Sequence, residues 1–374
     1  MTSVPASSES NAAVADLLDF ATDALRTCGL SADTARLVAD TLVDADSRGT
    51  GSHGVVRLPI YVKRLRSGMV DAAAIPTVDK SGAVASVDAH NCVGALAAQA
   101  GMDAAVELAA DLGIGLARVR HSNHAGALGY YVRNATRRGF VAMAASNAPV
   151  TMAYFGGRSR AVGTNPFAIA VPRRAAPPIV LDAATSATAR GKIIVAAAEG
   201  RPIPPGWAID TDGVPTTDAE KALAGSVLPF GGPKGSGLAM MIDIFCGILA
   251  GADFGQHIGD MYEDWSRPQN IGHVFLAIRP GDLEGAFLPR VEEFVADVAA
   301  LPPAAGSERI LLPGDIEELA LKKATKDGIA LPGSTAAALT TLAGELGLAL
   351  PAFLAAGTPP PDPLADGTLQ EETP

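Results

Sequence analysis

Apolar residues recur at helical spacing near the start of the chain. Val14, Leu17, Leu18, Ala21 and Leu25 fall on one face, with Asn11 as a cap and Gly29 as a stop. Ser31 is placed to cap a second helix running to about Ser47. The segment SHGVVRLPIYVKRLRSG then predicts a third helical element, with Pro59 near its start or at a break. Further on the pattern changes. The runs AVASVDAH, GIGLARVR, FVAMAASN, AIAVPR and PIVLDAA are short, β-leaning and bounded by Gly, Asn, Asp or Pro, which predicts strands. Helical patterns at about residues 95–111 and 125–138 lie between them, so strands and helices mix without a clean strand–helix–strand alternation. A helix near 235–250 follows the glycine-rich GGPKGSG, and another around Leu288–Leu301 opens a mainly helical C-terminal part.

These patterns divide the chain into a frayed N-terminus (1–10), a first helical part (11–75), a central mixed region (76–285), a second helical part (286–357) and a disordered tail (358–374). The length of 374 residues is roughly twice that of a usual single domain. With 40 acidic and 29 basic side chains, the net charge of −11 argues against a nucleic-acid backbone binder and against a polybasic membrane anchor. The N-terminal MTSVPASSESNA has no basic or apolar region of a secretory signal. The most apolar stretch, Leu238–Ala250, is interrupted by Asp243 and is too short to span a bilayer, so a cytoplasmic location is expected. Cys28, Cys92 and Cys246 are widely separated and form no CxxC pair, which fits a reducing compartment.

The usual nucleotide signatures are missing. Gly113 and Gly115 in GIGLAR supply two glycines of a dinucleotide fingerprint but no third, and GGPKGSG has the wrong order and spacing for a Walker A loop. His53 lies four residues before Arg57; on a helix the two share a face. An imidazole beside a guanidinium suits a 2-oxo acid, with Arg holding the carboxylate and His reaching the adjacent carbonyl oxygen. A capped helix start with a surface arginine has the same spacing. His121 and His124 in HSNHAGALGYY stand in a small, polar stretch before a helix, where a ligand can approach the backbone or a tight turn can form. No third ligand at recognisable spacing supports a metal. GTNPF at 163–167, LDAATSATARGK at 181–192 and Lys234 in GGPKGSG offer neutral donors and cations suited to phosphate and ribose, or simply to turns.

Taken in order, DADSRGTGSHGVVRLPIY, SNHAGALGYY, FGGRSRAVGTNPFAIAVP, LDAATSATARGKI, IPPGWAIDTDGVPTTD, LPFGGPKGSGLAMMID, QNIGHVFLAI and LPGD resemble the malate/L-lactate dehydrogenase family that lacks a Rossmann fold. Ureidoglycolate, sulfolactate and 2,3-diketogulonate dehydrogenases or reductases and cyclic imine reductases belong to it. The resemblance spans about residues 12–335. It implies a mixed α/β fold with a largely antiparallel central sheet in a cofactor-binding domain, plus a helical domain built from both chain ends. It also implies a homodimer binding NAD(P)H near the subunit interface. His53 matches the family's SHG histidine, Arg57 its carboxylate-binding arginine, and His124 the histidine near nicotinamide and substrate. Asp182, Ala183, Ala184, Lys234, Gly314 and Asp315 match cofactor-contacting positions, Asp315 standing where the family pattern has Glu. Ala125 stands where many members have a bulky aromatic, which implies a roomier or differently shaped substrate pocket.

The function expected is NAD(P)-dependent interconversion of a small 2-hydroxy acid and its 2-oxo acid. His53 is favoured as the proton donor because its spacing ties it to Arg57, with His124 as its rival. Arg190 and Lys192 place positive charge near Asp182, so NADPH is expected to serve at least as well as NADH. An imine reductase is the alternative enzyme, although Lys192 stands where that branch carries an acid. A non-catalytic cofactor- or metabolite-binding protein is the alternative of another class.

Overall fold

The computed structural model describes residues 10–280 and 284–355; the expectations for residues 1–9 and 358–374 lie outside these residues. In chain order the α-helices are α1 (Val14–Arg26), α2 (Ala32–Ser47), α3 (Leu58–Arg66), α4 (Gly94–Leu112), α5 (Gly129–Arg137), α6 (Arg190–Ala198), α7 (Ala219–Ala224), α8 (Pro233–Asp243), α9 (Glu284–Ala300), α10 (Asp315–Asp327), α11 (Gly333–Leu346) and α12 (Ala352–Ala355). The main strands are β1 (Ser10–Ala12), β2 (Thr77–Ser81), β3 (Val84–Asp88), β4 (Ile114–Ser122), β5 (Val141–Ser146), β6 (Phe167–Val171) and β7 (Ile179–Ala183). They continue with β8 (Ala208–Ile209), β9 (Pro215–Thr216), β10 (Ser226–Val227), β11 (Ile271–Ile278) and β12 (Ile329–Leu331).

Seven strands form the main sheet in the order β2-β3-β4-β11-β5-β6-β7. Only β3 and β4 run parallel, joined through α4; every other neighbouring pair is antiparallel. The fold is therefore mixed α/β with a largely antiparallel sheet, as the sequence implies. The five strand runs read from the sequence become β3 to β7. β11, at the centre of the sheet, was not among them. Its continuous IGHVFLAI carries no alternation because both faces are covered.

Two other local expectations are corrected. Asn11 caps no helix; it pairs with Ala330 in the β1–β12 ladder, and Ala13 precedes α1 without a side-chain cap. His53 and Arg57 do not share one helix face. The chain makes two single 3-10 turns, Gly51–His53 and Val55–Arg57, broken at an extended Gly54, before α3 begins. Ser31 does cap α2, its hydroxyl accepting from Thr34 N at 3.2 Å.

One apolar core gathers α1, α2 and α3 with β12 and α11, through Leu17, Leu42, Leu58, Leu331 and Leu339. Another packs α4 and α5 on the sheet through Met102, Val119, Tyr131 and Phe275. A charged network joins the two: Asp44 on α2 accepts from Arg48 at 2.8 Å and from Arg133 on α5, while Arg48 reaches Glu318 on α10 at 2.5 Å. Both arginines are almost wholly buried, so removing one partner strands a charge inside the protein.

Candidate active site

The site forms where the α2–α3 turn meets the end of β4. Asp46, near the end of α2, turns its carboxylate under the first of these segments and accepts from Val55 N at 2.7 Å. Gly54 must be glycine for this approach, because a Cβ there would lie 1.9 Å from the Asp46 carboxylate oxygen. Burial pushes Asp46 up to about 7 against the pull of the Val55 N–H. The turn so held presents His53 and Arg57.

At the end of β4 the pairing slips. Ile271 faces Ser122 but His273 faces Val119, so β4 carries one extra residue, a bulge in which His121 adopts a left-handed φ of 52°. The bulge turns the following residues inward. Asn123, buried, donates to the carbonyls of Asn91 and Cys92 at 3.3 and 2.9 Å, and Gln269 accepts from His124 N at 3.3 Å. The start of α4 backs closely onto this chain: a Cβ at Gly94 would meet Asn123 O at 2.2 Å and His124 O at 2.3 Å.

His53 and His124 consequently stack, with ring centroids 5.6 Å apart and planes 17° from parallel. Tyr61 on α3 places its hydroxyl 2.6 Å from His124 Nδ1, and Ser52 Oγ lies 3.0 Å from His53 Nδ1. Burial and the nearby Arg57 guanidinium push His53 down to about 4. Burial, His53, Arg57 and His273 hold His124 well below the ordinary imidazole range. Burial pushes the Tyr61 phenol well up, so it remains protonated. Beneath them His273, fully buried on β11, bridges Ser122 and Ser146 with both ring nitrogens at 2.9 Å and is likewise held down to about 4 by burial. Neither His53 nor His124 has a carboxylate partner among the described residues.

Arg57 donates from Nε to Ser52 O at 2.7 Å and from Nη1 to the Tyr262 hydroxyl; its Nη2 has no protein partner among the described residues. Three polar residues near the histidines therefore went unread in the sequence: Tyr61, Gln269 and Tyr262. Their contacts span 63, 145 and 205 residues, beyond the reach of any local spacing.

The residues matched to cofactor contacts fall into two places. Asp182, at the end of β7, accepts from Gly129 N at the start of α5 at 2.7 Å and shares a pocket with Arg48, Arg133, Gly314 and Glu317. Asp315 is not directed there; its carboxylate accepts from Leu312 N at 3.1 Å and helps hold the turn before α10. Ala183 and Ala184 continue from Asp182 into Thr185, which donates from N and Oγ1 to Thr164 O at 2.9 Å each and accepts from Phe230 N at 3.0 Å. The segments around GTNPF, DAATS and GGPKG are thus laced together, with Lys234 exposed in the first turn of α8. Arg190 opens α6 and lies close enough to Arg160 for the two charges to oppose each other; no hydrogen bond joins it to Asp182. Asn165, buried and bonded to Ala148 N and Ala239 O, braces this region. The fit to a dinucleotide is chemical. One Asp182 oxygen is held by an amide while the other has no hydrogen-bond partner among the described residues and suits a ribose hydroxyl, and Lys234 suits a phosphate at a helix start.

Comparison with known proteins shows the family and the fold. Residues 12–340 match the family described as malate/L-lactate dehydrogenase. The chain is similar to the (2R)-3-sulfolactate dehydrogenase (NADP(+)) of Chromohalobacter salexigens, 38% identical over 313 residues that cover 84% of this chain and 92% of that relative. It is 34% identical over 304 residues to the ureidoglycolate dehydrogenase (NAD(+)) of Escherichia coli, covering 80% of this chain and 86% of the relative. Its fold superposes on sulfolactate dehydrogenase from Methanocaldococcus jannaschii with a TM-score of 0.84 and 35% identity, covering 90% of this chain and 97% of the other. With this match along nearly all of the folded chain, the protein belongs to the malate/L-lactate dehydrogenase family.

Proposed function

We propose that the protein is an NAD(P)-dependent oxidoreductase that interconverts a small 2-hydroxy acid and its 2-oxo acid at the His53–His124–Arg57 cluster. The observation that carries this reading is the stacked imidazole pair, kept neutral beside a guanidinium and without a carboxylate partner. The bound nicotinamide supplies or accepts the hydride. Arg57 takes the substrate carboxylate on its free Nη edge. An imidazole Nε2 then gives a proton to the carbonyl oxygen in reduction and removes it from the hydroxyl in oxidation.

The sequence favours His53 for that proton. The geometry lends more support to His124: a hydroxyl fixes the tautomer and aim of each ring at Nδ1, but the Tyr61 contact to His124 at 2.6 Å is tighter than the Ser52 contact to His53 at 3.0 Å. His53 then opposes a second positive charge on the pair and fixes when the proton is held. A substrate carboxylate on Arg57 offsets the guanidinium that depresses both rings, so substrate binding itself favours proton uptake.

Asp182, Ala183, Ala184, Gly314 and Lys234 form the cofactor side of this proposal, with Asp315 as a brace of the Gly314 turn. Relatives carry names with NADP(+) and with NAD(+); Arg190 is the cation assigned to a 2′-phosphate, which favours NADPH. A homodimer is supported by one exposed apolar face on α8 and the π-helical turn after it, made of Met240, Met241, Ile244, Phe245, Ile248 and Leu249. The free thiols Cys28, Cys92 and Cys246 support a reducing, cytoplasmic location. The helical parts at 11–75 and 286–357 and the central part at 76–285 are the proposed domains. A panel of lactate, malate, 3-sulfolactate and ureidoglycolate with NAD and NADP, followed by nicotinamide absorbance, tests the function. Turnover of at least one acid is expected, with Arg190→Ala lowering kcat/KM for NADP more than for NAD. Cofactor binding without turnover of any hydroxy or oxo acid overturns the reading.

A further inference from the structure

We infer that Tyr262 is a substrate-binding residue, which together with Arg57 takes the carboxylate of the 2-oxo acid and sets the preference for that group. The inference rests on the proposed function and deepens it. Tyr262 is half exposed, on a loop far along the chain from Arg57, and yet its hydroxyl accepts from Arg57 Nη1 while its ring lies 5.7 Å from the guanidinium carbon. A hydroxyl on one Nη1 hydrogen stands beside the ground a carboxylate takes on the Nη1–Nη2 fork.

The loop that presents Tyr262 is built to hold it there. Arg64 on α3, almost wholly buried, donates from Nη1 to the carbonyls of Asp260, Met261 and Asp264 at 3.3, 3.1 and 3.2 Å. Asp260 turns its carboxylate inward and accepts from Tyr262 N at 2.7 Å and Glu263 N at 2.9 Å. Trp265 donates from its indole to Tyr262 O at 2.9 Å, and Lys63 sits 4.5 Å over the indole ring. The helix that follows the Arg57 turn thus also carries the latch for the loop opposite it. The two sides of the carboxylate site are tied to one helix.

A phenol that accepts from Arg57 still has its own proton to donate. Arg57 keeps Nη2 and the second Nη1 hydrogen for the ligand. A carboxylate entering this edge meets the guanidinium fork and the Tyr262 O–H together, three donors around two oxygens. An uncharged ester cannot recruit them equally, since hydrogen bonds to a charged group are the stronger ones.

Tyr262→Phe tests this, because it removes the hydroxyl and keeps the ring over Arg57. For the best acid of the panel, KM is expected to rise about tenfold, the loss of one hydrogen bond to a charged group, with kcat within about twofold. The methyl ester of that acid is expected to show the same kcat/KM in variant and wild type, and nicotinamide fluorescence titration the same cofactor affinity. A KM for the acid that is unchanged or lower in the variant, while wild type turns over, overturns the role of Tyr262 and leaves the function standing. No turnover of any acid by wild type overturns the function itself and the inference with it.

Discussion

His121 and His124 stand three residues apart at the end of β4, yet the chain delivers them into opposite surroundings. His121 points outward, where its Nδ1 meets Asp88 Oδ1 at 2.9 Å; His90 Nδ1 lies 3.4 Å from the same oxygen, and Arg120 Nη2 reaches the other oxygen at 3.1 Å. His124 turns inward, onto His53, with Arg57 nearby and a phenol in place of a carboxylate. Each place holds two imidazoles and an arginine. The difference lies in the counter-charge and the water. At the surface, partial burial pushes Asp88 up, but hydrogen bonds from His121 and His90 N outweigh it and hold the carboxyl down at about 2. A permanent anion there ties its histidines into a surface charge cluster. In the site burial and the nearby Arg57 keep the imidazoles neutral, no carboxylate among the described residues pairs with either ring, and the substrate brings the missing charge. Two histidines near an arginine are therefore not enough to mark a site; the absent carboxylate marks it.

The largest effect should come from breaking the inner pair. His124→Gln keeps size and polarity but removes the titrating ring, and kcat is expected to fall about 10³-fold, within the usual range for general acid–base groups. His53→Gln is expected to lose less, about 10- to 100-fold, because it tunes the proton rather than carrying it. Steady-state kinetics of both variants, with cofactor affinity measured in parallel, decide the order. A larger loss in His53→Gln reverses the assignment of the two rings.

How much of this was legible in the sequence follows from how each feature is encoded. His53, Arg57 and His124 sit in short motifs whose composition announces a turn and a ligand, and the structure gathers them. Strands β3 to β7 were legible because half-buried ladders alternate and end in Gly, Asn or Asp. β11 was not, since a strand buried on both faces has no alternation to read. Tyr61 lay inside the third helical element, and Tyr262 in no quoted motif. Their importance exists only after α3, β4 and the 260–266 loop have come together. Asp46 stood inside a quoted motif, yet its buried carboxylate beneath Gly54 is a fact of three-dimensional packing. The bulge at His121, which separates the outward histidine from the inward one, leaves no mark in residue type.

A smaller effect should come from making the inner pair resemble the outer one. Ser52 Oγ already lies 3.0 Å from His53 Nδ1, so Ser52→Asp places a carboxylate where Asp88 stands beside His121. In oxidation of the hydroxy acid the acting imidazole must be neutral. With His53 held down to about 4 and His124 well below its ordinary value, wild-type kcat/KM should stay level from neutral pH to below the ordinary imidazole value of ~6.5 and then fall. A nearby carboxylate stabilises the charged ring and raises its pKa, so the variant's acid limb should move up by about one pH unit. The limb belongs to the stacked pair as a unit, whichever ring carries the proton. A wild-type limb already near 6.5, or one that Ser52→Asp leaves in place, removes burial and the missing carboxylate as the cause.

The smallest effect is expected at the outer pair, and it is the control that gives the comparison its meaning. His121→Gln keeps a hydrogen-bonding side chain beside Asp88 while removing the ring. The backbone at this position is held independently, His121 N donating to Asn270 Oδ1 at 3.0 Å and Asn91 N donating to His121 O at 2.8 Å. The bulge that aims Asn123 and His124 inward should therefore survive. Exposed pairs of this kind contribute little to stability, so the melting temperature should move by no more than about 2 °C. With His124 undisturbed, kcat and KM should remain within about twofold of wild type. A loss of kcat approaching that of His124→Gln, without a matching loss of stability, would carry the chemistry across the bulge to His121 and dissolve the distinction between the two pairs.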